Sequence, residues 1–453
     1  MTASGAVAAA GMILVLVLLA LRPTLGILAL ALFYPFNEFV PRAPIPGVNS
    51  ETLILTVAML AGFARQAPLP PLRISAPIVA YFVVILFGWG ITATWYSNEM
   101  FGLTNVDNLI KVKSLLFPTL AFFVVYFWTG EAASRRRMLE ALTYTLLLVA
   151  IAAIVDWVFK LSPVTRSLGR ASGLIFNPNG LGILIAMLSV IPLLLYRQGR
   201  SNVFKRGVFV AAYTLGMIAL VLTLSRKAWI SVVVVHAVWF FYVNRRLLVA
   251  GGVAFLVTLT LAYSFLPQVI QDRIGETFEP GQTIYQGGIA SRFESSTAER
   301  IVLHRVGFQM FADSPIWGHG YSSVLILTPR YGARYGLLRN RNPHSIPVKA
   351  MAENGLLGLA TLGWMVLVLF LVGRRLWRSG GDERALGAAF LASCAGVGIS
   401  SLAATTIEDH QVSIYFWMLF GLVARAEVEG RREAYAGDEA REFHTKLPGE
   451  SGG

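Results

Sequence analysis

Residues 173–196 read GLIFNPNGLGILIAMLSVIPLLLY. That stretch carries no charged side chain, and a helix of roughly 20 apolar residues is what crosses about 30 Å of hydrocarbon. Similar runs lie near 6–21, 24–40, 51–64, 76–95, 113–129, 138–160, 207–224, 228–243, 247–266, 346–372, 385–406 and 411–424. The first three are short, Pro35, Pro41, Pro44 and Pro46 break up the end of the second, and one run is a candidate re-entrant segment. Composition agrees: 55% of residues are hydrophobic, 14% are charged, and the mean hydropathy is +0.62. Soluble chains need about 25% charged residues to cover their surface. The expected fold class is therefore all-α, a polytopic integral membrane helical bundle with about 12–13 transmembrane helices and one large, partly helical external loop. A single cysteine, Cys394, excludes a disulfide scaffold, and 42 glycines without a fixed period exclude collagen.

The formal net charge of +13 is the unexplained figure. Its location explains most of it. Arg65 and Arg73; Arg135 to Arg137; Arg197, Arg200, Lys205 and Arg206; Arg245 and Arg246; and Arg374, Arg375, Arg378 and Arg384 fall in every second linker, fifteen cations in five short connections. Short basic loops stay cytoplasmic. The tail from Arg425 is then inside, and the linkers near 94–112, 160–172, 225–227, 267–345 and 407–411 are outside. Nucleic-acid binding loses its main support, whereas membrane lipids are expected partners. Met1 to Gly5 lack the positive n-region of a cleaved signal, so the first run is expected to remain as an anchor.

The chain divides into N-terminal transmembrane helices (1–172), central transmembrane helices with an outer Arg turn (173–266), a large periplasmic loop (267–345), C-terminal transmembrane helices (346–424) and a cytoplasmic tail (425–453). The tail's mixed charges, Pro448 and terminal Ser-Gly-Gly favour disorder from Glu427 onward. The 79-residue loop is too long for a simple connector. It holds eight Arg, no Lys and six acids, with four Arg and no acid between Arg330 and Arg341. Guanidinium is planar, bidentate and always charged, which suits phosphate. Ser296 to Ala312 has helical periodicity, with Val302, Val306, Gln309 and Met310 on one flank and Ser296 or Thr297 as the expected cap. Asp313, Ser314, Pro315, Gly318 and Gly320 then stop it.

Polar groups gather at the outer helix ends: Arg226 and Lys227, Arg300, His344, and Glu408, Asp409 and His410. Arg226 and Lys227 oppose the charge rule that the other short loops obey. They read either as an interfacial snorkelling pair or as an anion site. His344 precedes Ser345, a cap candidate, and Pro347, suited to a first helical turn. A helix N-terminus favours neutral imidazole and hence a general base, the alternative being a loop histidine bonded to backbone. His236 reads as a satisfied packing residue in mid-span; His304 and His319 read as loop surface. No HxxH, HExxH, cysteine pair, Walker loop or dinucleotide glycine loop occurs, so no metal and no cofactor are expected.

Four stretches in order resemble the O-antigen ligase and O-antigen polymerase superfamily of bacterial envelope glycosyltransferases. They are Gly173-Leu-Ile-Phe-Asn-Pro-Asn-Gly180; Thr223-Leu-Ser-Arg-Lys-Ala-Trp229; Arg300 followed by Ala312-Asp-Ser-Pro-Ile-Trp-Gly-His-Gly-Tyr321; and His344 with Glu353, Gly355 and Gly358. Together they cover roughly residues 170–360. One departure is Ser345, where family members often carry Asn after the histidine.

The resemblance implies metal-independent, inverting transfer of a glycan from a polyprenyl (undecaprenyl) pyrophosphate donor to a glycan or lipid A-core acceptor hydroxyl, at the periplasmic face of the bacterial inner membrane. It implies that Arg226 and Arg300 grip the pyrophosphate and that His344 deprotonates the acceptor. Lys227, Asn179, Arg339, Arg341, Glu408 and Asp409 are accessory candidates. A polymerase of the same superfamily needs the same grip and base and differs in acceptor. A transporter of such lipids would carry ionisable residues deep within several spans and a repeat architecture, whereas Asp156 and His236 are the sparse intramembrane set read here.

Overall fold

The computed structural model describes residues 3–40, 49–96, 105–252, 268–275 and 295–446. Among them there is no strand, and eight helices are long and apolar enough to cross a membrane. These are Leu72–Trp95, Asn108–Trp128, Ala132–Phe159, Pro178–Arg197, Val203–Leu222, Arg226–Val243, Ile346–Arg378 and Gly381–Ser401. Ala9–Leu21 and Ser50–Ala64 are shorter apolar helices. The chain is a polytopic helical membrane protein. The expected 247–266 run lies mostly outside the described residues, as do Arg292 and residues 97–104 of the 94–112 linker.

Prolines set several boundaries, because a proline nitrogen cannot donate to the preceding turn. The expected 24–40 run becomes the Pro23–Phe33 helix and a 3-10 turn, Tyr34–Phe39, entered at Pro35. The 113–129 run is divided by a 3-10 turn around Pro118 into Asn105–Leu116 and Leu120–Trp128. In the 173–196 run the helix starts at Pro178, not Gly173, and a break at Ser189 precedes Pro192.

The last helix, His410–Lys446, contains the expected 411–424 run and corrects one expectation. The short 411–424 run is the hub of the bundle, with every residue from Gln411 to Val428 buried. A helix apolar on all sides belongs where neighbours surround it; its Phe420 stacks on Phe122 at 4.8 Å and on Phe390 at 5.7 Å. The helix then continues through the tail that the composition marks as disordered. Glu427, 4% exposed, explains why: it pairs with Arg73 at 2.9 Å and Arg431 at 2.6 Å, tying the tail to the bundle. Lipid-embedded helices associate by close packing of small residues, since burial from lipid supplies no hydrophobic drive. Gly182 lies against Ala228, and Gly421 against the Phe122 backbone.

Contacts sort the linkers onto two ends. At one end Arg73 meets Glu427, Arg135 meets Glu383, Arg200 meets Asp382 and Trp377 donates to the Tyr242 carbonyl. All five basic linkers gather there. At the other end Ala171 bonds to Leu222, and Asn177 to Asp409.

Candidate functional site

At the end opposite the basic linkers lies a cavity of about 490 Å³ whose wall includes Asn179, Lys227, His344, Glu408 and Asp409. Four helices begin at it: Pro178–Leu188, Arg226–Val243, Ile346–Arg378 and His410–Lys446. Each N-terminus presents unsatisfied N–H groups and roughly half a positive charge. Convergence of four such ends favours an anion.

Local sequence sets the convergence. The Asn177 side chain accepts from the Asn179 amide at 3.1 Å, capping a helix that opens with Pro178. In the 223–227 turn Leu224 adopts a left-handed φ of 49°, and the Thr223 hydroxyl accepts from the Ser225 amide at 3.3 Å. The two stretches are then tied together. Ser225 and Arg170 donate to the same Asn179 oxygen at 2.9 and 3.0 Å, Arg170 Nε donates to the Thr223 carbonyl at 2.9 Å, and Asn177 donates to Asp409 at 2.9 Å.

The external segment docks from the other side. The Ser295–Asp313 helix buries Val302, Val306 and Met310, as its periodicity predicts. The described helix begins at Ser295, one residue before Ser296. Gly307 permits contact with Val348, a single turn beyond His344, and this crossing carries Arg300 toward the histidine. Residues 313–321 then fit a break at Gly355 (φ 61°, ψ −148°) in the Ile346–Arg378 helix, a conformation essentially restricted to glycine. Leu356 N–H donates to the Pro315 carbonyl at 2.8 Å and Gly320 N–H to the Glu353 carbonyl at 2.7 Å. A Cβ on Gly318 would collide with the Glu353 carbonyl. The spacing of His344, Glu353 and Gly355 is thus the spacing of a helix start and the break that receives the loop.

Ser345 is the N-cap of the Ile346–Arg378 helix, as expected, and its hydroxyl accepts from Val348. His344 is accessible at the cavity wall. Partial loss of hydration, then the charges of Arg300 and Lys227, hold its imidazole below the ordinary histidine range. That shift favours the neutral imidazole, the form a general base needs. Burial also raises the Asp409 carboxyl above the usual carboxylate value.

The wall includes Lys227, but neither Arg226 nor Arg300 lines it directly; both are half-buried beside residues that do. Arg341 is spent on Glu299 at 2.9 Å, fastening the chain before His344 to the loop helix. Arg339 is exposed and outside the cavity wall. Among the described residues, no three His, Cys, Asp or Glu side chains form a metal-ligand group.

Other histidines divide. His236 is a satisfied packing residue, held by Tyr213 at 3.1 Å and the Val232 carbonyl at 2.8 Å. His304 and His319 are half-buried, contrary to a surface reading. His319 bridges Tyr96 at 3.0 Å and the Met310 carbonyl at 2.9 Å, because residues 313–321 turn inward. Sequence reasoning missed Arg170, and it missed Lys349, whose ammonium reaches Glu408 at 2.5 Å. Lys349 and Glu353, four residues apart in a helix, were a detectable i,i+4 signal. The buried ionisable set is therefore larger than Asp156 and His236. Asp156 itself is 3% exposed, accepting from Ser162, Thr165, Ser172 and Gly173 near its helix end.

Fold and site define a class: a polytopic helical membrane protein with a polar, histidine-bearing cavity at one end of the bundle. A family model described as O-antigen ligase matches residues 209–363, and the match supports the O-antigen ligase-like superfamily, whose members are membrane glycosyltransferase-like enzymes. It spans Arg226, Arg300 and His344 and stops before Glu408 and Asp409. No match is found among the curated proteins.

Proposed function

We propose that the protein transfers a glycan from a polyprenyl pyrophosphate to an acceptor hydroxyl, as an O-antigen ligase, on the periplasmic side of the inner membrane. One observation carries this reading: four helix N-termini, Lys227 and His344 share one cavity, beside Arg226 and Arg300. The acceptor oxygen attacks the anomeric carbon while the bond from that carbon to the pyrophosphate oxygen breaks. His344 takes the hydroxyl proton, and the lipid pyrophosphate departs with the electron pair. Its growing negative charge is met by Arg226, Arg300, Lys227 and the helix ends. Attack opposite the leaving group inverts the anomeric centre. Arg339 and Arg341 are assigned no direct part, since one faces outward and the other is paired with Glu299.

The test is transfer by purified protein from an undecaprenyl-pyrophosphate-linked glycan, with and without EDTA. Turnover that survives EDTA and is lost in His344→Ala supports the mechanism; loss with EDTA, or wild-type turnover in the variant, overturns it. The polymerase reading makes a different cellular prediction. A deletion strain of a ligase retains full-length polymer on its lipid carrier, and that of a polymerase retains single repeat units.

A further inference from the structure

The cavity wall carries carboxylates as well as a cation. Glu408 and Asp409 stand in the same wall as Lys227, and their carboxylates would repel a pyrophosphate placed directly against them. Each of the three consecutive residues here is held by a different part of the fold: Glu408 by Lys349 at 2.5 Å, Asp409 by Asn177 at 2.9 Å, and His410 by Glu38 at 2.8 Å. A strap fixed at three points keeps its carboxylates in place while a ligand enters.

Lys349 is the least expected of these partners. Its side chain is 7% exposed, it lies 3.9 Å from Glu353, and its ammonium sits 5.0 Å from the centre of the Tyr321 ring. Glu353 is 1% exposed and Tyr321 belongs to the docked external segment. One ammonium therefore links the helix that begins beside His344, the docked loop and the cavity wall. Glu408 retains 22% side-chain exposure on the cavity side, so one carboxylate oxygen is bound to Lys349 while the group still faces a ligand.

The geometry points to Lys349 as a positioning residue that holds Glu408 as a hydrogen-bond acceptor for sugar hydroxyls, making this side of the cavity a sugar subsite beside the pyrophosphate subsite. A carboxylate accepts from hydroxyls without donating, and charge-assisted bonds of this kind are the stronger ones. The sugar belongs either to the donor glycan or to the acceptor. This inference rests on the functional reading above for the identity of the ligand.

Binding, measured without turnover, separates the two ideas. Two variants are compared with wild type in detergent micelles: Glu408→Gln, which keeps shape, and the pair Lys349→Met with Glu353→Gln, which removes both buried charges together. The probes are undecaprenyl pyrophosphate with and without an attached disaccharide, and purified lipid A-core oligosaccharide. In wild type the sugar should tighten binding. Both variants should lose about 10- to 100-fold of sugar-dependent affinity, the size of a lost hydrogen bond to a charged group. Binding of undecaprenyl pyrophosphate alone should stay within about threefold. Loss confined to the disaccharide probe assigns the subsite to the donor, and loss confined to the oligosaccharide assigns it to the acceptor. Sugar-dependent affinity equal to wild type in both variants overturns the proposal, as does a wild type indifferent to sugar. A drop in melting temperature for the paired variant with intact sugar discrimination shows that Lys349 is structural only. Failure of the wild type to transfer glycan would instead sink the functional reading, whatever the binding results.

Discussion

The two ends of the bundle are both rich in cations and use them differently. At the end bearing the basic linkers, positive groups meet carboxylates pairwise: Arg135 with Glu383, Arg200 with Asp382, Lys205 with Glu140, and Arg73, Arg375 and Arg431 with the buried Glu427. At the other end Arg341 and Lys349 are paired with Glu299 and Glu408, but Lys227 and four helix N-termini border a shared cavity, close to the field of Arg300. Charge of the first kind fastens helices to one another. Charge of the second kind is what the proposed transfer would use to hold an anion. A high count of arginine therefore says little until the partner of each is known.

Variants at each end can break this contrast. The largest effect on turnover should come from His344→Ala, which is expected to lower kcat by about 100-fold or more, the range for a lost general base, with the melting temperature unchanged. A variant near wild type would place the proton transfer elsewhere. Next comes Arg226→Lys. Replacing a fork with a point charge should raise the donor KM about tenfold, and near-normal kinetics would assign Arg226 to snorkelling. The pH profile of kcat/KM is a finer probe. Because the His344 imidazole is held below its ordinary value of 6.5, activity should persist below pH 6.5 and fall only as the ring protonates at lower pH. An acid limb above pH 6.5, or one that survives in His344→Ala, would contradict the assigned base.

At the opposite end the effect should be on stability alone. Glu427→Ala removes the carboxylate shared by Arg73, Arg375 and Arg431, and should cost about 1–3 kcal/mol, discounted because these arginines are partly exposed. Activity per folded molecule should stay within twofold. If transfer fell in proportion with no change in melting temperature, the two ends would be coupled and not separate. Gly355→Ala tests the docking of the external segment. A side chain at φ 61°, ψ −148° should destabilise by about 1–3 kcal/mol and loosen residues 313–321, read as a lower melting temperature and faster proteolysis of the loop.

Much of the fold was legible because a membrane imposes simple rules. Long uncharged runs become helices, and short arginine-bearing linkers share an end. The loop helix at 295–313 was readable from Val302, Val306 and Met310, and the cap at Ser345 from the Pro347 that follows it. The 411–424 run was readable as a helix too, but its central place and its continuation to Lys446 were not. The run is short, and nothing in it says that surrounding helices bury it from Gln411 to Val428. Nor could periodicity show that Glu427 would anchor a tail of mixed charge.

For the site the division is similar. Sequence alone determined which residue types were available: an imidazole before a capped helix, arginines without nearby acids, and a carboxylate pair at 408–409. Only the tertiary structure decided their company. It spent Arg341 on Glu299, left Arg339 outside the cavity, brought Asn179 onto Ser225 and Arg170, and set Lys349 beneath Glu408. The physical reason is range. Hydropathy and capping act within one or two helical turns, whereas polar and charge pairing joins side chains on different helices, and its outcome is fixed only when the helices have packed.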